Sequence, residues 1–420
     1  MSPLHLLSPK GFRAAGVAAG IKKSGKPDVA LLVADHDISA AAVFTTNQVV
    51  AAPVVVGRLH IQRGNLRAIV VNSGNANACT GKIGLRDARA MASLTASLLG
   101  CETTRVLPSS TGVIGHLLPM DKVSKGIKAA HANLGHSAEH ALAFQNAIST
   151  TDAFLKQAAT TLKLGKETIT IAGVCKGAGM IGPRMKIADK QTSKQTGKQS
   201  SKQTGKHATM LAYVTTDALV GGAALRAMLT SAAEQSFNVS SVDDHTSTND
   251  TLAVLASGAS GVTIASDAFK KKFSAALDEV CLALAKQVVS DGEGATKVVV
   301  IRVTGAASDS DAQQIARQIG NSNLVKCAMH GNDPNWGRIV SAAGLGSARF
   351  VPEKSKLTLC GTVLYRGGSP VAFDAVKVSS DLKQKEVVVD LSCGLGKGQA
   401  VFYTCDLSKM YVTINADYTT

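Results

Sequence analysis

The sequence predicts an α/β protein with layered mixed sheets covered by helices, and three features of the 420-residue chain support this prediction. Short apolar runs bounded by turn residues recur along the chain, which is typical of strands. Longer segments carry apolar residues three and four positions apart, which indicates amphipathic helices. The two patterns alternate without a repeat that covers the whole chain, so mixed sheets with covering helices are favoured.

The part of the chain before Thr209 starts with strand patterns and continues with helices. Residues 87–100 and 138–149 have helical apolar spacing. A Ser-Thr-Gly turn at 110–112 is expected to lead into a further helix, and residues 166–185 predict a strand followed by a Gly-rich turn. Four apolar runs between residues 28 and 79 are predicted to be strands: DVALLVAD, AAAVFTTN, APVVVGRLH and LRAIVVNSGNANAC.

The part of the chain from Thr209 onwards continues the same two patterns. Ser, Thr, Asn and Asp precede an apolar run at 247–256, which is a signal for the start of a helix. The other predicted elements are a strand at 210–218, a helix at 221–237, a long helix, Gly-rich turn and strand at 268–305, a helix and then a strand at 310–331, and a strand-rich end from 356 to 420.

The eight cysteines show no spacing typical of a metal site or a disulfide framework. No C-x-x-C pair and no histidine cluster accompanies them, so we predict free, mostly buried thiols and no cofactor. No apolar run approaches the ~20 residues that a membrane helix needs, and the N-terminus lacks the pattern of a secretory signal. The sequence therefore predicts a soluble cytoplasmic protein that does not bind a membrane.

Residues 186–207, called the insert below, are rich in Lys, Gln, Ser, Thr and Gly. The hexapeptide SKQTGK occurs twice in them, at 193–198 and 201–206. The lysines recur every four residues, so a helix would stack like charges on one face. We predict that the insert is disordered, because it has almost no apolar side chain to bury. Its six lysines and the single acid Asp189 together supply +5 of the formal net charge of +15.

Thr209 follows the insert directly and permits a specific chemistry. A threonine hydroxyl is a weak nucleophile that needs a base. If the peptide bond before Thr209 is cut, the new α-amino group titrates near ~7.7–8.0 and can accept the hydroxyl proton at neutral pH. From Thr209 alone this is a weak signal, because a threonine that opens a strand is usually structural.

The sequence around Thr209 resembles the ornithine acetyltransferase family, also called the glutamate N-acetyltransferase family. KGAGMIGPRM (176–185) and ATMLAYVTTDA (208–218) match its pattern, and the 22 residues between them are a departure from it. Further signatures follow in family order: GFRAAGVAAGIK, AAVFTTN, VNSGNANACTG, SSTGVIG, STTDAF, TSTNDT, DGEGATK, HGNDPNWGRI and NADYTT.

The resemblance implies a self-processing acetyltransferase with a fold like that of N-terminal-nucleophile enzymes. The precursor is expected to cut itself between Ala208 and Thr209, giving an α chain (1–208) and a β chain (209–420) that stay together as α2β2. Thr209 is then the nucleophile that takes acetyl from N-acetylornithine, releases ornithine and passes the acetyl group to glutamate. We expect cleavage despite the insert, because closing a longer loop costs little more entropy.

The same resemblance assigns roles to individual residues. Thr111 and Gly112 match the donors that stabilise the oxyanion of the tetrahedral intermediate. Lys176 matches a lysine that binds the substrate carboxylate, and Glu293 matches an acid suited to the ammonium of ornithine. The other expected substrate contacts are Thr151, Asn415 and Thr420.

Two other functions and one donor remain open at this stage. A self-processing aminopeptidase or amidase would use the same Thr209 chemistry but pass the acyl group to water. A polyanion or nucleic-acid binder would use the positive charge, although the single Trp and five Tyr offer few rings for base stacking, so we expect no nucleic-acid partner. The sequence also leaves open whether acetyl-CoA serves as a second acetyl donor.

Overall fold

The structure, a computed structural model, describes residues 3–188, the backbone of 205–207, and residues 209–417. Most of the insert lies outside the described residues, as do Ala208 and Thr420. The described chain divides into two compact units. The first takes in the residues up to Asn238 together with Thr246–Val288, and the second takes in Val239–His245 and the residues from Val289 onwards.

The first unit contains a ten-stranded mixed sheet and helices on both of its faces. Its strands are β1 (Phe12–Val17), β2 (Val29–Thr45), β3 (Asn65–Asn75), β4 (Val106–Ile114), β5 (Lys156–Leu164), β6 (Glu167–Lys176), β7 (Met185–Ile187), β8 (Gly205–His207), β9 (Leu211–Thr216) and β10 (Thr251–Ala256). Its helices are α1 (Ala52–His60), α2 (Gly81–Leu99), α3 (Met120–Ala132), α4 (Ala138–Ile148), α5 (Gly222–Gln235) and α6 (Asp267–Ser290).

The central strands of this sheet bury both faces. The strand order is β5-β6-β9-β10-β2-β3-β4-β8, and β1 and β7 also pair with β2. Successive side chains of a strand point to opposite faces, so Leu32 of β2 joins one core while Leu31 and Val33 join the other. Residues of α4 such as Phe144 fill the first core, and residues of α2 such as Met91 fill the second.

The second unit contains a six-stranded mixed sheet with the order β14-β13-β12-β15-β11-β16. Alternate residues of its central strand pack with the apolar stripe of a long helix, as Ile301 and Ile315 illustrate. Its elements are β11 (Val298–Ala306), α7 (Asp309–Asn321), α8 (Asn323–His330), α9 (Trp336–Ala343), β12 (Lys356–Leu359), β13 (Thr362–Arg366), β14 (Ser369–Pro370), α10 (Ala375–Asp381), β15 (Glu386–Ser392), β16 (Gly398–Cys405) and α11 (Lys409–Ala416).

The predicted fold class is confirmed, because both units have mixed sheets covered by helices. Two predicted strands are wrong and are helices. Residues 52–60 form α1, whose first turn holds Pro53, a residue that needs no hydrogen-bond acceptor for its nitrogen at that position. Residues 323–330 form α8, which begins where the side chain of Ser322 accepts a hydrogen bond from the Val325 amide.

Three further local predictions are wrong for similar reasons. Residues 251–256 form β10, because the apolar run is buried beside β9 in a parallel pair, where continuous apolar strands are typical. The predicted strand-rich end contains five strands, β12 to β16, but its last segment is wrong as a strand, since Ser408 caps the helix α11. Ser110, Thr111 and Gly112 lie within β4 rather than in a turn, and β4 pairs in parallel with β3.

Gly112 occupies an irregular point of β4 that brings two backbones close together. The pairing of β3 with β4 shifts register at Gly74 and Asn75, and Gly112 has a φ of 130°. On the other side of β4, His207 of β8 pairs with Gly112 in an antiparallel ladder. The backbone just before the Ala208–Thr209 bond therefore runs along β4, beside the residue expected to stabilise an oxyanion.

We expect that Gly112→Ala destabilises the first unit by about 2–4 kcal/mol, because the added Cβ would lie 2.4 Å from the backbone carbon of Gly74. Gly165→Ala is the matched control, since Gly165 also has a positive φ of 67° but nothing lies within 4 Å of an added Cβ. The control should cost only about 1 kcal/mol. Thermal and urea unfolding compare the two variants, and equal losses would contradict the close approach at Gly112.

Candidate active site

Thr209 lies two residues before β9, and its hydroxyl contacts a threonine of β4, while a lysine of β6 contacts both threonines. The Oγ1 of Thr209 donates a hydrogen bond to the Oγ1 of Thr111, with 2.7 Å between the two oxygens. The Nζ of Lys176 donates to the same Thr111 oxygen at 3.1 Å and to the carbonyl oxygen of Thr209 at 2.7 Å. All three side chains are completely buried. The structure thus brings together Thr209, Thr111 and Lys176, with Gly112 next to Thr111 in the chain.

The strand register explains why these residues meet. Lys176 is the last residue of β6 and pairs with Leu211 of β9, two positions after Thr209. Leu211 also pairs with Thr251 of β10. The ends of β6, β9 and β10 therefore form a row beside Thr209. The pairing of these strands determines where the polar side chains at their ends lie.

Asp250 is a buried acid at this edge to which the sequence analysis gave no role. Its Oδ1 accepts a hydrogen bond from the amide of Met210, the residue after Thr209, at 3.0 Å. Its Oδ2 accepts a hydrogen bond from the amide of Ser247 at 3.3 Å. The signal in the sequence was the acid within the signature TSTNDT, which precedes β10.

The ammonium of Lys176 is a cation enclosed by the protein. Burial lowers the pKa of Lys176 to about 8. The nearby carboxylates of Asp152 and Asp250 oppose this change, because they raise the pKa. The ammonium groups of Lys156 and Lys22 add to the lowering. Lys176 is therefore charged at neutral pH, and the two carboxylates favour that state.

The carboxyl group of Asp250 has the opposite shift. Burial raises its pKa to about 7, while the hydrogen bonds from Met210 and Ser247 and the charge of Lys176 oppose this rise. Because the pKa lies near neutrality, the charge of Asp250 responds to changes in its surroundings. The Lys176 ammonium and the Asp250 carboxyl thus face the same peptide unit, that between Thr209 and Met210, from its two sides.

Asp152 anchors the loop after α4 to the end of β6. Its Oδ1 accepts hydrogen bonds from the Nζ of Lys156 at 2.6 Å and from the amide of Gly177 at 2.7 Å. Burial alone would raise the pKa of Asp152, but Lys176, Lys156 and these hydrogen bonds lower it to about 2. The sequence analysis missed both Asp152 and Lys156. Thr151, the predicted substrate contact, is exposed on this same loop.

Lys22 adds a further positive charge to this region. Its Nζ donates hydrogen bonds to the carbonyl oxygens of Pro27 at 2.6 Å and of Ser149 at 2.7 Å. Ser149 ends α4, where a cation is favourable because the helix dipole is negative there. Burial lowers the pKa of Lys22 to about 8. Three lysines and two acids therefore share the surroundings of Thr209.

The two other predicted contacts that the structure describes, Glu293 and Asn415, lie in the second unit. The side-chain amide of Asn415, on α11, donates a hydrogen bond to the Oε2 of Glu293 at 3.1 Å. Ser408 donates through its hydroxyl to the carbonyl oxygen of Gly294 at 2.6 Å, which fixes the start of α11 against the same loop. The two residues thus form a pair within their own unit.

Metal-ligand clusters and membrane-spanning helices are absent from the described residues. Residues 3–188 and 209–417 contain no group of three or more His, Cys, Asp or Glu side chains placed to hold a metal ion. The eight cysteines are free, and four of them are buried. Over the same residues, every helix is too short or too polar to span a membrane.

The arrangement suits nucleophilic chemistry at a hydroxyl group. Two donors already occupy the lone pairs of the Thr111 oxygen, so the hydrogen of the Thr111 hydroxyl is directed away from them. A hydroxyl and a nearby backbone amide, that of Gly112, are the kind of donors that stabilise a tetrahedral oxyanion. A buried cation beside Thr209 favours negative charge that develops there.

Comparisons with known proteins extend over nearly the whole chain. A sequence model of the ArgJ family matches residues 13–420. A protein of Rhodopirellula baltica, described as arginine biosynthesis bifunctional protein ArgJ, is 45% identical over 423 residues, which cover 99% of this chain and 97% of that protein. One of Symbiobacterium thermophilum with the same description is 46% identical over 417 residues, covering 98% of each chain. The crystal structure of ArgJ from Bacillus halodurans is 36% identical over 49% of this chain and 97% of its own, with a TM-score of 0.47.

We expect that Lys156→Met destabilises the first unit by about 3 kcal/mol, because it leaves the buried carboxylate of Asp152 without this partner. The pKa of Asp152 is about 2, below its ordinary value, so its contribution to stability is present above pH ~4 and is lost as the pH falls towards 2. The variant raises this pKa, and the loss should then begin at a higher pH. Urea unfolding between pH 2.5 and 7 measures both effects.

Lys377→Met is the matched control for this variant. Lys377 and Asp381 form an ion pair with the same four-residue spacing, at 2.8 Å, on the surface of the second unit. An exposed pair contributes little to stability, so this variant should unfold like the wild type. Equal losses of unfolding free energy in the two variants would show that burial does not increase the contribution of the Lys156–Asp152 pair to stability.

Proposed function

The chain belongs to the ArgJ family, and we propose that it transfers acetyl from N2-acetyl-L-ornithine to L-glutamate, giving L-ornithine and N-acetylglutamate. This makes it a glutamate N-acetyltransferase of arginine biosynthesis, a pathway named in the description of its relatives. The observation that carries the proposal is the buried hydroxyl of Thr209, held by Thr111 beside the ammonium of Lys176. We also infer that the enzyme works in the cytoplasm.

The first step of the proposal is self-cleavage. The Oγ1 of Thr209 attacks the carbonyl carbon of Ala208, the C–N bond breaks, and the hydroxyl proton passes to the leaving nitrogen. The resulting ester is hydrolysed by water, which leaves a carboxylate on Ala208 and a free α-amino group on Thr209. The pairing of β8 with β4 supports this step, since it holds the upstream backbone along Gly112. The two products, 1–208 and 209–420, remain together, and we propose an α2β2 assembly.

The second step is formation of an acetyl-enzyme. The Oγ1 of Thr209 attacks the acetyl carbonyl carbon of N-acetylornithine while the α-amino group of Thr209 takes the hydroxyl proton. The hydroxyl of Thr111 and the amide of Gly112 stabilise the oxyanion. When the intermediate collapses, the C–N bond breaks, ornithine leaves with the proton, and acetyl-Thr209 remains. The amine of glutamate then attacks this ester by the same steps in reverse, which makes the reaction ping-pong.

Lys176 favours the neutral form of the α-amino group. Its Nζ lies 2.7 Å from the carbonyl oxygen of Thr209, so a second positive charge on the nitrogen of the same residue is repelled. A like charge on a neighbouring group lowers the pKa of an amine. The α-amino group of Thr209 is therefore a base at neutral pH, and no histidine is needed for that role.

Substrate recognition is proposed to use charges of both signs. An ammonium carries three N–H donors; those of Lys176 go to Thr111 and to Thr209, and we assign the third to the substrate carboxylate. We assign Glu293, with Asn415 hydrogen-bonded to it, to the ammonium of ornithine, because a carboxylate binds an ammonium favourably. Thr151 and Thr420 are assigned as further polar contacts of the substrate.

We expect the wild-type protein of 43.2 kDa to yield two chains of roughly 21 and 22 kDa, in proportion to 208 and 212 residues. Thr209→Ala should give a single full-length chain without transferase activity, because it lacks the attacking hydroxyl. Thr209→Ser is the matched control, since it keeps a hydroxyl group and should still be cut. Intact-mass analysis and N-terminal sequencing measure this, and an active enzyme with an unbroken Ala208–Thr209 bond would refute the mechanism.

We expect glutamate to accelerate the release of ornithine from N-acetylornithine at least about tenfold, because the amine of glutamate attacks acetyl-Thr209 better than water does. An aminopeptidase or amidase would release ornithine equally fast without glutamate. The assay follows ornithine and N-acetylglutamate by mass spectrometry. The relatives are described as bifunctional, which supports acetyl-CoA as a second donor, and a parallel reaction with acetyl-CoA and glutamate tests it.

A further inference from the structure

We propose that Asp250 is a positioning residue for the nucleophile: its carboxyl group and Lys176 together hold the peptide unit after Thr209 in the orientation that catalysis needs. This inference rests on the proposed function, since it assigns a role in the same reaction. It adds a residue that contacts neither the substrate nor the reacting hydroxyl.

The peptide unit between Thr209 and Met210 is held at both of its polar ends. Its carbonyl oxygen accepts from the Nζ of Lys176 at 2.7 Å, and its N–H donates to the Oδ1 of Asp250 at 3.0 Å. A peptide plane held at both ends cannot rotate about its flanking bonds. The Cα of Thr209 is therefore fixed, and the Oγ1 of Thr209 can keep its 2.7 Å contact with Thr111.

Asp250 is itself held by the backbone around it. Its Oδ2 accepts from the Ser247 amide at 3.3 Å, and its own carbonyl oxygen accepts from the Thr45 amide at 2.8 Å. The next residue, Thr251, donates through its amide to the carbonyl oxygen of Met210 at 3.2 Å. The carboxyl group thus sits on a rigid end of β10, which is a requirement for a precise positioning role.

A carboxylate does more at this place than a neutral acceptor could. It faces the buried ammonium of Lys176, whose other charged neighbours are Asp152, Lys156 and Lys22. After cleavage, the α-amino group of Thr209 joins this cluster. A negative charge at Asp250 favours the protonated forms of both amines, so its removal should lower the pKa of each.

Asp217 supplies a matched control at the end of β9 that is opposite to Thr209. It is buried and follows β9 directly, and its carboxylate accepts hydrogen bonds from the amides of Thr170 at 2.8 Å and Lys10 at 3.5 Å. It therefore stabilises β9 by the same kind of bonds as Asp250 does. It differs in being separated from Thr209 by the whole length of β9.

The experiment compares Asp250→Asn, Asp250→Ala and Asp217→Asn in the full chain. We measure the rate of chain cleavage, kcat and KM for N-acetylornithine, the pH dependence of kcat, and thermal unfolding. Asp250→Asn should lower the cleavage rate and kcat about tenfold or more with KM changed less than about twofold. Asp250→Ala should be worse, because an asparagine oxygen can still accept from Met210. Asp217→Asn should keep the wild-type kcat even if it unfolds at a lower temperature.

The pH dependence separates positioning from a loss of stability. In Asp250→Asn the acidic limb of the kcat profile should move to lower pH, because the pKa of the Thr209 α-amino group falls when a nearby negative charge is removed. In Asp217→Asn the limb should stay in place. Ser247→Ala removes a hydroxyl that hydrogen-bonds the Asp250 carboxyl, so its kcat profile should show the same shift on a smaller scale. This variant replaces the Asp250 variants in the test if they do not fold.

The outcomes separate this inference from the proposed function. If the wild type cuts itself and transfers acetyl while Asp250→Asn keeps its kcat, its cleavage rate and its pH profile, the role of Asp250 is refuted and the proposed function stands. Equal losses of kcat in Asp250→Asn and Asp217→Asn, or a change in KM alone, refute it as well. A wild type that neither cuts itself nor transfers acetyl refutes both.

Discussion

The buried ammonium of Lys176 is the constraint on which the rest of the site depends. Moving a charged ammonium from water into a protein interior costs several kcal/mol, so a fold keeps one only where other groups offset the cost. Lys176 is completely buried, and the carboxyl groups of Asp152 and Asp250 act on it from different parts of the chain. The positions of both acids can therefore be understood as consequences of placing this cation beside Thr209.

The sheet supplies this arrangement through its register. β6 runs antiparallel to β9, and β9 runs parallel to β10, so that Lys176, Leu211 and Thr251 are neighbours in one row. Thr111 comes from β4, on the far side of β2 and β3 in the strand order, and its hydroxyl still reaches that of Thr209. Thr209 is thus held by residues from both sides of the sheet centre, which requires the long central strands to be rigid. Their two buried faces provide that rigidity.

The sequence singled out Thr209 and its immediate contacts but not the charged groups around them. Thr209, Thr111 and Lys176 stand in long signatures, and the structure brings them into contact. Asp250 and Asp152 also stand in signatures, yet their roles depend on strand register and burial, which a single sequence does not reveal. The errors in secondary structure have the same origin. The apolar runs of β10 and α1 look alike in sequence, and only the neighbours that cover them decide between strand and helix.

The insert is a departure in sequence whose two ends lie in strands of the sheet. The start of the insert lies in β7, which pairs with β2 at Thr45, and its end lies in β8, which pairs with β4 at Gly112. The cost of closing a loop rises by only about 0.6 kcal/mol for each doubling of its length. We therefore expect cleavage before Thr209 to depend on the ladder between β8 and β4 and not on the number of residues that precede it. A chain that preserves this short ladder and the contacts of Thr209 with Thr111 and Lys176 can accommodate a long basic segment before the ladder.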